Sequence, residues 1–207
     1  SSVHFVRPAH GLVALHGADV VPVKALGLTA GGGALLLRQS QAEASGFGSR
    51  SYPIEIGAIK ANGERYCALI KPVAEWQHWS AEAEAMHGIS TALLQERGKP
   101  ARQVCTELNQ FLGSITAYSD AWTHDSAWLN CLFFAARVQP LFHLSPIEMI
   151  ASEAQLLLWD ATKKQLTKEL GARRHRASVD AHLIQQTYLR TRTRLLAEPQ
   201  LALQRGL

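Results

Sequence analysis

Apolar and polar positions alternate along "YPIEIGAIKANGERYCALIKP", with Asn62-Gly63 between the two halves. Period-two alternation around an Asn-Gly step predicts two strands joined by a tight turn. It also sets Glu55 between Ile54 and Ile56, on the opposite face of its strand. The preceding "ALLLRQSQAE" predicts a third strand, although Arg38, Gln39, Ser40 and Gln41 make it polar for a central one. Further on the period changes. "SAEAEAMHGISTALLQERGKPARQVCTELNQFLGS" predicts a short helix, a turn at His87-Gly88 and a longer helix over about 100–113. In the longer helix Val104, Leu108, Phe111 and Leu112 share a face. "ITAYSD" predicts a short strand, and "SAWLNCLFFAARV" a helix with Trp128, Leu129, Leu132 and Phe133 inward. Another helix is expected from about Pro146 to Leu158 and on toward 170. "ELGARRHRAS" is a basic loop, and "SVDAHLIQQTYLRTRTRLL" is the last strong helix. Strands come first and helices later, the pattern of an α/β domain with a mixed sheet.

Residues 1–33 mix short apolar pieces with histidine, proline and the breaker "GGG", and define no clear element. The expected organisation is therefore an N-terminal extension over 1–33, a main domain over 34–190 and a basic tail over 191–207. With 47% hydrophobic and 18% charged residues in 207, the chain is globular rather than disordered. A formal charge of +4 leans only mildly toward an anionic partner. Cys67, Cys105 and Cys131 are too widely spaced for a zinc knuckle and odd in number, which fits thiols in a reducing compartment. The most apolar run, "ALGLTAGGGALLL", is well short of the roughly 20 residues of a membrane-spanning helix. A cytoplasmic protein is expected.

Three segments place an acid in a setting that chemistry can use. In "HRASVD", a loop histidine, His175, and a helix carboxylate, Asp180, can face one cleft. There the histidine takes a proton from water and the carboxylate holds a cation. The plain alternative is an exposed helix aspartate beside an incidental loop histidine. In "YSDAWTHDSAWL", Asp125 precedes an apolar helix, so it reads equally as an N-cap. The neighbouring Asp120 reads as a turn residue at a strand end. In "QAEASGFGSR", Glu43 is followed by the small residues Ala44, Ser45 and Gly46, which let a ligand approach the backbone.

Taken in order, "EASG…YPIEIGAI", "MHGIS", "YSDAWTHDSAWL" and "HRASVD" resemble the motifs of the DEDD superfamily of 3′–5′ exonucleases. Within it they resemble the histidine subclass, which includes RNase T, oligoribonuclease and proofreading exonucleases. The resemblance runs from about Ala34 to Leu189. It implies a ribonuclease H-like fold, a five-stranded mixed sheet flanked by helices, with two Mg2+ or Mn2+ ions in an acidic cleft. It also implies hydrolysis of the terminal phosphodiester by a metal-activated water. Carried over by position, Glu43, Asp125 and Asp180 would hold metal, with Glu43 also counted as catalytic, and His175 would be the general base. His87 and Ile89 would border the terminal nucleotide, and Ala44, Ser45 and Phe47 would line its approach. Arg176 would meet phosphate. The implied partner is a single-stranded DNA or RNA 3′ end, with no membrane, and a homodimer is compatible.

The family's first motif is Asp-x-Glu, and this chain reads Gln41-Ala42-Glu43. A neutral amide then stands where a carboxylate should face two dications, so weaker metal binding and a large loss of rate are expected. The resemblance fades abruptly upstream of Glu43, and a reading-frame change just before that codon would produce such a pattern. Two readings follow. One is a metal-dependent exonuclease impaired at Gln41, with Asp120 as a remote candidate for a substitute acid. The other is an inactive nucleic-acid-binding module that keeps the exonuclease fold. Arg173, Arg174 and Arg176 form a basic rim suited to phosphate. Arg190, Arg192 and Arg194 read equally as a solvated helix end, and Trp76, Trp79 and Trp122 as packing residues.

Overall fold

A computed structural model describes residues 52–171 and 176–195 in full, and the backbone of 14–16, 19–21, 24–25, 28–29, 32–39 and 196–205. Two short hairpins come first: β1 (Ala14–His16) with β2 (Asp19–Val21), and β3 (Lys24–Ala25) with β4 (Leu28–Thr29). The segment expected to lack clear elements therefore carries four short strands.

The principal sheet is built from β5 (Gly32–Gln39), β6 (Pro53–Lys60), β7 (Arg65–Leu69), β8 (Thr116–Ser119) and β9 (His143–Pro146), in the order β7-β6-β5-β8-β9. β6 runs antiparallel to β5 and β7, while β8 runs parallel to β5 and β9 to β8. The polar-looking strand is thus the central one. The Asn62-Gly63 turn joins β6 to β7, with Gly63 at φ 87°, a backbone that favours glycine.

The helices are α1 (Ala81–His87), α2 (Thr91–Arg97), α3 (Ala101–Leu112), α4 (Trp122–Ala136), α5 (Glu153–Glu169) and α6 (Ala177–Arg205). Ser80, Ser90 and Ser152 cap α1, α2 and α5 through their own hydroxyls. Helix α2 and strand β9 were not legible in the sequence pattern. α4 begins earlier than its apolar run, and α6 crosses the expected boundary at 190 without a break.

Successive strand residues feed opposite faces of the sheet. Ile56 and Ala58 of β6 and Ala117 of β8 join Val104, Cys105 and Leu108 of α3 and Leu129, Leu132 and Phe133 of α4 in one core. Ile59 and Tyr118 turn to the other side, onto Trp159 of α5 and Ala181 and Ile184 of α6. At the start of β6, Tyr52 and Ile54 pack with Ile89 and Leu94, and Trp76 stacks on Tyr52 at 5.1 Å. The molecule is a three-layer α/β sandwich with α3 and α4 on one face and α5 and α6 on the other.

Candidate functional site

Topology brings three chain segments to one end of the sheet. β5 runs toward Gln39, and β6 starts beside it, with Arg38 opposite Glu55 and Gln39 opposite Pro53. β8, parallel to β5, ends at Ser119 and turns into α4. α4 and α6 both pack against β5 and β6. The carboxyl ends of parallel strands are where open α/β sheets gather their sites.

Asp125 lies in the first turn of α4, donates its backbone N–H to Ala121 O at 3.0 Å, and is 1% exposed. It is not the cap, since that position belongs to Ala121. The apolar run alone misled, because the helix starts one turn before the run does. The hydroxyl of fully buried Ser119, the last residue of β8, donates to Asp125 Oδ2 and accepts the Ala121 N–H at 2.9 Å.

Asp180 lies in the first turn of α6 and is 9% exposed, so it is not the solvent-facing aspartate of the plain alternative. Its N–H donates to Arg176 O at 3.0 Å, as does that of Val179, which makes Arg176 the residue at the helix cap. Arg176 carries no capping hydroxyl. Glu55 of β6 takes that role across the sheet: it accepts from Ala177 N at 2.7 Å and from Arg176 Nε and Nη2 at 3.0 and 2.7 Å. Glu55 lies on the face opposite Ile54 and Ile56, as alternation predicts, yet it is wholly buried. Its carboxylate holds the Arg176 guanidinium in its charged form, above the ordinary arginine range.

Asp120 sits one residue past β8 and pairs with Lys163, while Trp159 Nε1 donates to it at 3.3 Å. Asp120 is thus engaged by Lys163 and Trp159. Ile89 is fully buried and donates its N–H to His87 Nδ1 at 3.0 Å, and His87 is 8% exposed. Arg190 pairs with Glu169 at 2.6 Å, which accounts for one of the C-terminal arginines. Trp122, 41% exposed, donates from Nε1 to Leu144 O at 3.0 Å.

Gln41, Glu43, Ala44, Ser45, Phe47 and His175, with Arg173 and Arg174, lie outside the described residues. Among the described residues no three His, Cys, Asp or Glu side chains gather closely enough to hold a metal ion. Of the expected acidic set, the described part is two buried carboxylates on the first turns of two helices that flank the central strand. Hard oxygen donors of this kind suit a hard divalent cation. The three cysteines are unpaired, and no described helix is long and apolar enough to cross a membrane. Sequence reasoning missed Ser119 and Glu55. Glu55 had a signal, an acid inside an otherwise apolar strand.

Known structures share this fold. A 3′-exonuclease that recognises the histone mRNA stem-loop aligns with a TM-score of 0.59 and 13% identity, over 79% of this chain and 81% of its own. Zinc-bound Escherichia coli exonuclease I in complex with single-stranded DNA gives 0.58 and 12%, over 83% of this chain and 43% of its own. The nuclease domain of 3′hExo, a DEDDh family member bound to rAMP, gives 0.55 and 13%, over 79% and 92%. The chain shares the fold of these exonuclease structures.

Sequence comparison gives a different neighbour. The glycine–tRNA ligase beta subunit of Methylobacillus flagellatus is 81% identical over 31 residues, and that of Dechloromonas aromatica 84% over 31. The beta subunit of Polaromonas naphthalenivorans is 31% identical over 122 residues. The chain spans 4% of the length of the first two and 13% of the third. No family model matches the chain.

Proposed function

We propose that the domain from about Ala34 onward is a ribonuclease H-like 3′–5′ exonuclease of the histidine DEDD type, impaired at Gln41, that acts on single-stranded 3′ ends. The observation that carries the reading is the placement of Asp125 and Asp180. Each is buried in the first turn of a helix packed on β5, at the end of the sheet where β5 leads toward Glu43.

Glu43, Asp125 and Asp180 would hold Mg2+ or Mn2+, which when bound supplies charge neutralisation on a transferring phosphoryl group. The rest falls to the chain's own residues. His175, two positions before α6 in the sequence, would take the proton of the attacking water at an imidazole nitrogen. Ser119 fixes the Asp125 carboxylate by donating to one of its oxygens. Ala44, Ser45 and Phe47 line the approach of the terminal nucleotide with His87, which Ile89 orients through its backbone N–H. Arg176 gives Nε and Nη2 to Glu55, leaving Nη1 for phosphate.

The ligase-like stretch supports a composite chain. The 31-residue matches occupy 15% of the sequence, while the Polaromonas naphthalenivorans match covers 58% and so overlaps the 79% aligned with the exonuclease fold. A foreign segment running up to residue 42 would explain a glutamine where the motif asks for aspartate. The second reading, a binding module without turnover, rests on the same glutamine. Hydrolysis of a 5′-labelled single-stranded oligonucleotide with Mn2+ separates the two, comparing the chain as it stands with Gln41→Asp. Activity restored by Gln41→Asp supports the impaired enzyme. Strand binding without hydrolysis by both favours the module.

A further inference from the structure

We infer that Glu55 and Arg176 are positioning residues: a clamp anchored on a buried carboxylate that sets the start of α6, and with it Asp180, for divalent-ion binding and hydrolysis. The inference rests on the exonuclease reading above.

The clamp is built at two successive same-face positions of β6. At the first, the Glu55 carboxylate takes three N–H groups, all from Arg176 and Ala177. At the second, Gly57 leaves the space that the α6 backbone occupies. A Cβ there would lie 2.4 Å from Ala177 C and 2.6 Å from Ser178 N. His175 is the residue immediately before this grip, and Asp180 follows it within one helical turn.

Folding alone gives little reason for such a device. A fully buried carboxylate costs several kcal/mol to desolvate, and its partner Arg176, 40% exposed, offsets that only in part. The chain also has a simpler way to start a helix, since Ser80, Ser90 and Ser152 cap α1, α2 and α5 locally. A local serine would satisfy the Ala177 N–H equally well but would leave α6 free to shift against the sheet. A cap carried by β6 fixes the helix start relative to the strands that lead to the other acids. Partners of this kind, one step removed from a metal, typically alter affinity or activity by about 10–100-fold when lost.

The test is Glu55→Gln placed in the Gln41→Asp protein. Amide hydrogen exchange at 177–180 is expected to quicken by about tenfold or more. Mn2+ affinity by calorimetry should fall about 10–100-fold. kcat should fall in step while KM stays within about twofold. Adding Arg176→Gln, which removes the half-exposed guanidinium that has lost its partner, should recover part of the Mn2+ affinity. Faster exchange with Mn2+ affinity and kcat both unchanged would overturn the inference, leaving the clamp a folding device. If Glu55→Gln does not fold, Arg176→Lys, which keeps the charge and gives up the two-point grip, carries the exchange and Mn2+ affinity measurements. Failure of the exonuclease reading shows separately: Gln41→Asp with Glu55 intact would neither bind Mn2+ nor cleave, and this inference would fall with it.

Discussion

Ser119 ends the parallel strand β8, and its hydroxyl donates to the carboxylate of Asp125 in the first turn of the helix that follows. Both residues are almost completely buried. Ser119→Ala leaves that carboxylate one donor short and strips the Ala121 N–H of its acceptor. A buried polar group left unsatisfied costs about 1–3 kcal/mol. The urea midpoint should fall accordingly, with no change in the slope of the transition.

Asp120 and Asp125 stand five residues apart, yet only one is held by a lysine. Asp120→Asn, which weakens the pair with Lys163, should leave Mn2+ affinity of the Gln41→Asp protein within about twofold, since Asp120 is engaged by Lys163 and Trp159. Asp125→Asn should reduce it by at least about tenfold, because hard cations favour anionic oxygen. Equal losses on calorimetry would return Asp120 to the site.

Gly57→Ala forces a methyl group into the backbone of Ala177 and Ser178. Nothing there is a flexible side-chain end, so α6 or β6 must move. Overpacking of this kind costs about 1–3 kcal/mol and at times more. Thermal unfolding should show the loss, and hydrogen exchange should localise it to the first turn of α6.

Burial pushes the Cys105 thiol up to about 12. Its folded-state value is raised, so its contribution is intact below the unfolded value of about 8.5 and is lost as pH rises toward the folded one. Between pH 8 and pH 10 this thiol alone should lower stability by roughly 1–2 kcal/mol, because the unfolded chain ionises first. Urea titrations at the two pH values read the slope. Cys105→Ala, less stable throughout, should show that much less of it.

Much of the sheet was legible because it rests on local signals. Alternation and Asn62-Gly63 set the β6–β7 hairpin, and helical periodicity set α3 and the body of α4. β9 and α2 were not legible: His143–Pro146 has neither length nor alternation, and Thr91–Arg97 is a short run after a turn. Asp125 and Asp180 were singled out through order and spacing, and the structure buries both in the first turn of a helix. What surrounds them was not, since Ser119 meets Asp125 across a strand-to-helix turn and Glu55 meets Arg176 across 121 positions. Local pattern carries no sign of a contact that only the closed sheet creates. The same holds for Asp120, whose lysine partner comes from α5.

The order β7-β6-β5-β8-β9 has a consequence for how the chain acquires its shape. β5, β6 and β7 are consecutive in sequence and can form a meander early, since only four residues separate β6 from β7 and thirteen separate β5 from β6. The other edge of β5 has no partner until Thr116 arrives to meet Gly32, after the whole of α1, α2 and α3. Pairing over such separations is slow, and an open strand edge invites a second copy of the chain. The strand at the centre of the finished sheet is therefore the edge most exposed to misassembly on the way there, and refolding yield should decline as protein concentration rises.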